Sequence, residues 1–203
     1  IRYNQMRSLL ELSNLPKNRQ RKTQIFPIEI DEKVFDKLEE AKNDIVNIVN
    51  NGGNIYICGD KTGNGKTTWA IRLMLKYFDM VWANSYDTTR GLYVHVPTFF
   101  LDVKNFENRP EYIDRIEEAD MVIWDDLAAT DMLTNFEHEH LLRYIDSRIN
   151  NNKCNIYTSN ITDRYKLIDL IGNRLASRVY NCSTIYELHG GDVREYADQL
   201  LNN

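Results

Sequence analysis

The run Gly63-Asn64-Gly65-Lys66-Thr67-Thr68 stands between a β-branched and aromatic stretch, Ile55-Tyr56-Ile57-Cys58, and an apolar-periodic segment containing Trp69, Ala70, Ile71, Leu73, Met74 and Leu75. Strand, glycine-rich turn and helix in that order make a phosphate loop. Glycines let backbone N–H groups converge on an anion, and the helix N-terminus adds unpaired donors and the positive end of a dipole. Lys66 supplies a mobile point charge for β- and γ-phosphates, and the Thr67 hydroxyl can take a place around Mg²⁺. The candidate binding loop is Gly59, Asp60, Lys61, Thr62, Gly63, Asn64, Gly65, Lys66, Thr67 and Thr68. It departs from the usual spacing once: the glycine expected five residues before Gly65 is Asp60, with Gly59 one residue earlier. An altered approach to the loop is expected, with the loop itself retained.

Three further constellations fit the same chemistry. Met121-Val122-Ile123-Trp124 ends in Asp125-Asp126; from the end of a strand Asp125 can hold the hydration shell of Mg²⁺, and Asp126 can accept a proton from an attacking water. Thr158-Ser159-Asn160 closes the next apolar run. If that strand flanks the other two, Asn160 can orient the water or contact a γ-phosphate. In Gly172-Asn173-Arg174-Leu175-Ala176-Ser177-Arg178 the two arginines are four apart and share a helix face. An arginine offered to a neighbouring subunit's γ-phosphate stabilises transition-state charge, although spacing alone equally allows a salt-bridged helix end.

The elements that must position these groups follow from periodicity. Asp31 is placed to cap a helix carrying Val34, Leu38, Ala41, Ile45 and Ile48, which Gly52-Gly53 ends. Strands are expected at 55–58, 92–96, 121–124, 155–158 and 183–188. Helices are expected after the phosphate loop, over 98–118 with an interruption near Pro110, from Phe136 to Ile149, from Tyr165 to Ile171, and at the end of the chain. Strands alternating with helices predict an α/β fold with a mainly parallel sheet covered on both faces. His95 is expected to be a plain strand residue. In Glu137-His138-Glu139-His140 the histidines are two apart and point to nearly opposite helix faces, so no metal site is expected there.

Composition bounds the rest. The chain has 203 residues, 42% hydrophobic and 27% charged, a normal soluble composition for one domain with a short appendage. No apolar run approaches the ~20 residues a membrane helix needs. Three scattered cysteines, Cys58, Cys154 and Cys182, suggest reduced thiols and a cytoplasmic setting. Residues 1–24 carry Arg2, Arg7, Lys17, Arg19, Arg21 and Lys22 against Glu11, a net +5; with −5 overall, the remainder carries −10. That acidic body argues against general duplex coating; the basic leader over 1–24 is expected to be a solvated arm, with contact to nucleic acid or an acidic partner as the alternative.

Taken together, Gly63-Asn64-Gly65-Lys66-Thr67, Val122-Ile123-Trp124-Asp125-Asp126-Leu127, Tyr144-Ile145-Asp146-Ser147-Arg148, Thr158-Ser159-Asn160 and Gly172 to Arg178 resemble, in order, the AAA+ ATPase domain of DnaC/DnaI-type replicative helicase loaders, including versions carried by bacteriophages. The resemblance covers about residues 25–195. It implies a P-loop NTPase (AAA+/ASCE) three-layer sandwich over 25–203, with a five-stranded sheet in the order 5-1-4-3-2 and a reduced lid. It implies ATP or ADP with Mg²⁺ as ligands, Lys66 and Thr67 as Walker A, Asp125 and Asp126 as Walker B (many relatives have Glu at the second position), and Asn160 as sensor 1. Arg174 would be a finger acting in trans with Arg178 beside it, and Arg194 a sensor-2-like group. The implied partners are a replicative DNA helicase, single-stranded DNA weakly or conditionally, and further copies of the chain through the ATP site, with no membrane. Such loaders carry an N-terminal helicase-gripping module, for which the residues before 30 leave little room. Either it was removed, which Ile1 at the start permits and which we expect, or helicase contact uses the short basic leader. Two other readings share these motifs: an IstB-type transposition helper ATPase, and a nucleotide-gated assembly module with marginal turnover.

Overall fold

Five short strands run parallel through the centre of the molecule: β1 (Asn54–Cys58), β2 (Gly91–His95), β3 (Met121–Asp125), β4 (Cys154–Ser159) and β5 (Ser183–Glu187). The computed structural model describes residues 1–20, 25, 29–85, 88–105, 107, 109–129 and 132–192. The strand order is β2-β3-β4-β1-β5, the expected order read from the other edge, and every pairing is parallel. The central strands read as continuous apolar runs because both faces of the sheet are covered. Alternate residues serve the two faces. Tyr56, Val94, Val122, Trp124 and Tyr157 face one core, and Ile55, Ile57, Tyr93, Ile123 and Ile156 face the other. This is the three-layer P-loop AAA+ fold.

The helices divide accordingly. On the second face lie α1 (Arg2–Leu12), α2 (Glu32–Asn43), α3 (Ile45–Asn50) and α4 (Lys66–Val81), burying Leu9, Phe35, Leu38, Ile45, Trp69 and Leu73 among others. On the first lie α5 (Val96–Lys104), α6 (Asn135–Asn150), α7 (Arg164–Ile171) and the single turn α8 (Asn173–Ala176), which runs on into a π-helical turn at Ser177–Asn181. Helix α6 begins with a capping box: the Thr134 hydroxyl accepts from the Glu137 N–H and the Glu137 carboxylate from the Thr134 N–H. Arg148, fully buried on α6, donates to the carbonyls of Ile116, Ala119 and Cys154 and to Asn155 Oδ1, stapling the approach to β3 onto β4.

Several local expectations change. Asp31 does not cap α2 with its side chain; its carboxylate accepts the N–H groups of His189 and Gly190, each at 2.8 Å, and so holds the segment leaving β5. The single helix expected after Asp31 is two, α2 and α3, parted at Asp44. The helix expected over 98–118, interrupted near Pro110 and followed by another turn, is α5, which starts earlier at Val96 and ends at Lys104, and a 3₁₀ turn at Glu111–Ile113. Among the described residues no group of three or more His, Cys, Asp or Glu side chains is gathered as a metal cage, and no helix is long and apolar enough to cross a membrane. The closing helix and the lid lie outside the described residues.

Residues 1–20 pack on the body. Leu9 and Leu15 are buried. The Tyr93 N–H donates to Ser13 O at 2.8 Å and Asn14 Nδ2 to Tyr93 O at 3.0 Å, so this segment covers the outer edge of β2.

Candidate nucleotide-binding site

Parallel strands leave their C-terminal ends on one side of a sheet, and in such sheets ligands bind there. Here β4 lies between β1 and β3, so the phosphate loop after β1, Asn160 after β4 and the acidic pair after β3 meet at one rim. They surround a cleft of ≈490 Å³ lined by Thr62 to Thr68, Asp125, Asp126, Thr158 and Asn160, and on its other walls by Asn18, Arg19, Ile71, Arg72, Leu75 and His95.

The loop owes its shape to its glycines. Gly65 has φ +97°, a left-handed conformation that a side chain disfavours, and it turns the chain into α4. Gly59 passes so close to Leu188 O and Asn64 Nδ2 that a Cβ would collide with both. The glycine displaced to 59 therefore answers a close approach to the segment after β5. Lys66 opens α4, and its Nζ donates to Gly59 O (3.0 Å), Lys61 O (2.8 Å) and Asn64 Oδ1 (2.9 Å). Burial pulls its pKa below that of a free lysine, and the nearby carboxylates of Asp126, Asp60 and Asp125 oppose the shift. Gly59, Asp60 and Lys61 do not line the cleft; the first and third contribute carbonyls to Lys66, and Lys61 Nζ turns away to His189 O at 3.0 Å.

Asp125 is the floor of the cleft. Its Oδ1 accepts the hydroxyls of Thr67 (2.7 Å) and Thr158 (2.6 Å), and its Oδ2 accepts Tyr93 OH (2.6 Å) with Arg19 Nη1 3.6 Å away. Asp126 follows with φ +62°, its N–H donating to Thr158 Oγ1 at 3.0 Å. That backbone turn swings its carboxylate into the cleft wall, where His95 Nε2 stands 3.9 Å from Oδ2. Burial and the charge of Asp125 raise the Asp126 pKa, against His95 and Lys66, which lower it.

Not all the expected residues meet there. Arg174 and Arg178 do not line the cleft. Both bind one carboxylate of α6: Arg174 Nη2 to Asp146 Oδ2 and Arg178 Nε to Asp146 Oδ1, each 2.7 Å. Arg174 is 68% exposed and Arg178 37%, against 14% for Asp146. Arg194 lies outside the described residues. Sequence reasoning also missed Asn18, Arg19, Tyr93 and His95. For His95 a signal existed: it ends a strand whose register sets it opposite Asp125. For Arg19 there was none, because only the docking of the N-terminal segment brings it here.

The donor set suits a magnesium nucleotide. A buried lysine inside a glycine loop, a threonine hydroxyl on a buried aspartate and a second carboxylate at the same rim provide anion-binding and hard-cation-binding groups side by side.

No protein-family profile matches the sequence, and no curated protein matches it. Solved structures do match. The DnaC helicase loader superposes with TM-score 0.68 at 16% identity, covering 85% of this chain and 99% of that one. DnaI gives 0.66 at 18% identity, covering 90% and 95%. The replication initiator DnaA bound to AMPPCP and single-stranded DNA gives 0.62 at 17% identity, covering 87% of this chain and 51% of that one. At these identities the likeness is one of fold: the chain has the architecture of the AAA+ domains of helicase loaders and initiators.

Proposed function

We propose that this chain is an ATP-dependent loader that assembles with a replicative DNA helicase and places it on single-stranded DNA. The observation that carries the nucleotide half of the reading is the 2.7 Å contact between the Thr67 hydroxyl and Asp125, directly beside the buried Lys66. The fold shared with DnaC, DnaI and nucleotide-bound DnaA supports the replication half.

In this reading Lys66 exchanges its loop acceptors for phosphate oxygens, and the loop N–H groups before α4 complete the anion site. Thr67 and Asp125 would hold Mg²⁺, Asp125 partly through water. When bound, Mg²⁺ supplies charge neutralisation at the β- and γ-phosphates. Asp126 accepts the proton of the attacking water, and its raised pKa makes it a stronger base than an ordinary aspartate. Asn160 orients that water from the end of β4. Arg174, exposed and away from its own cleft, completes the site of a neighbouring copy with Arg178 beside it. ATP turnover is thereby tied to self-association. The acidic body leaves duplex DNA a poor ligand and favours a protein partner with conditional single-strand contact.

Calorimetry with ATP and ADP tests the site. Lys66→Ala should weaken binding about 10²-fold, the loss of charge-assisted hydrogen bonds to phosphate. No uptake by the parent protein would end the reading. Affinity capture from the native cytoplasm with and without ATP tests the partner: recovery of a replicative helicase supports loading, and recovery of a transposase favours the IstB-type helper instead. One observation favours the assembly-module reading. Asp126 is a shorter acid than glutamate and sits on a left-handed residue at φ +62°. Steady-state turnover that stays negligible with single-stranded DNA would select it.

A further inference from the structure

We propose that Arg19 is a phosphate-side residue of its own chain's nucleotide site, delivered by the N-terminal segment and selective for triphosphate over diphosphate. The inference rests on the nucleotide-site reading above. Its ground is the path of the first 20 residues. Ser13 and Asn14 bond to the backbone of Tyr93 along the outer edge of β2. Leu15 is buried, Gln20 Nε2 donates back to Leu15 O at 2.9 Å, and the Arg19 N–H donates to Pro16 O at 2.8 Å. The compact turn at Lys17–Arg19 is thereby fixed over the cleft, with Asn18 and Arg19 in its wall.

Arg19 reaches the end of the cleft where a terminal phosphate belongs. Its Nη1 is 3.4 Å from Tyr93 OH and 3.6 Å from Asp125 Oδ2. The other oxygen of that carboxylate binds Thr67, the metal side of the site. The guanidinium is 43% exposed while Asp125 is 5% exposed, so the cation stands on the rim and the carboxylate lies in the floor. Both Arg19 contacts exceed the roughly 2.7–2.9 Å of a close charge-assisted bond. The other cations in the wall are held tightly: Arg72 Nη2 is 2.6 Å from Glu39 Oε1, and Lys66 sits within its loop. A guanidinium keeps its charge at any physiological pH and offers five donors in a plane that matches phosphate. A triphosphate brings more negative charge to this end than a diphosphate, so the attraction to Arg19 differs between them. The N-terminal segment would then read the state of the terminal phosphate through a residue in cis, apart from any finger supplied by a neighbour.

The test is equilibrium binding of Mg²⁺-AMPPCP and Mg²⁺-ADP to the full chain, in the parent, Arg19→Met, Arg19→Lys and Lys66→Ala. Arg19→Met should weaken AMPPCP about tenfold and ADP far less, the size of one charge-assisted contact. Arg19→Lys should recover most of the difference, which shows that charge and not packing is responsible. Amide exchange at Tyr93, whose N–H is bonded to Ser13, reports that the segment stays docked in both variants. Equal weakening of the two nucleotides, no change in either, or no recovery with lysine would overturn the proposal. A parent that binds neither nucleotide would instead remove the site reading on which it rests; Lys66→Ala, expected to weaken both about 10²-fold, calibrates that loss.

Discussion

Asp125 and Asp146 each gather more than one donor, and they do so in opposite ways. Around Asp125 the partners come from four separate stretches, Arg19, Thr67, Tyr93 and Thr158, and the carboxylate is almost fully buried. Around Asp146 both partners are arginines of one helical stretch, Arg174 exposed and Arg178 half-buried. The first arrangement closes inward on a cleft and includes both signs of charge. The second sets two cations against one anion, so a positive charge is left over at the surface. The proposed site, shared between subunits, would use this asymmetry: one copy builds the pocket, and another presents the charge that meets its phosphate.

Arg174→Ala tests that division most severely. Turnover should fall by about 10³-fold, while the Kd for nucleotide stays near the parent value. Nucleotide-dependent self-association, followed by sedimentation, should weaken in parallel. Stability should hardly move, because exposed ion pairs contribute roughly 0–1 kcal/mol. Hydrolysis at the parental rate would reduce the two arginines to a salt-bridged helix end.

A smaller effect is expected one step back, at the carboxylate that holds them. Asp146→Asn keeps the shape and removes the charge that orients Arg174 and Arg178. We expect about a tenfold loss in kcat with KM little changed, since one positioning contact is lost and the phosphate-binding loop is untouched. Mixing Asp146→Asn with Lys66→Ala protein distinguishes position from fold. If Asp146 acts only through the finger, the deficit follows the copy that donates Arg174. Two residues along the same helix, Arg148 gives the contrast. It is fully buried with five acceptors, so Arg148→Met should cost about 3 kcal/mol or more of stability, whatever its effect on turnover.

The same contrast explains what could be read from the sequence. Each part of the inward site that lies at a strand end was legible, because apolar runs of strand length mark the strands and parallel strands deliver their last residues to one rim. Lys66, Thr67, Asp125, Asp126 and Asn160 reach the cleft for that reason. His95 obeys the same rule and was passed over because it was weighed as a single strand residue. Arg19 was not legible. Its role depends on a segment docking against the edge of β2, a contact between residues far apart in the chain that no periodicity records. Asp31 misled for a related reason. An aspartate before a helix is a good local cap, but the two N–H groups after β5 compete for it and hold both of its oxygens. Local signals find elements; only packing decides which of several partners a polar side chain takes.

The smallest effect concerns the acid that both readings of turnover depend on. The Asp126 pKa is raised in the folded chain by burial and by Asp125. A carboxyl whose folded pKa exceeds its unfolded value binds its proton more tightly when folded, so its contribution to stability falls as pH rises between the two values and stays low above them. Asp126→Asn removes that cost and keeps a residue tolerant of the left-handed backbone at φ +62°. The variant should therefore melt slightly higher than the parent at neutral pH, and the gain should shrink to nothing as pH falls below the ordinary aspartate range. Thermal melts across pH 3–8 give this sign directly. Turnover should move the other way: Asp126→Asn lacks a base at every pH, while the parent should lose activity on the acid side as Asp126 takes up its proton. A parent whose activity on the acid side follows the same curve as the variant's would show that Asp126 does not take the proton. It would also leave the inward site as a place where nucleotide is held, with turnover owed to something other than this carboxylate.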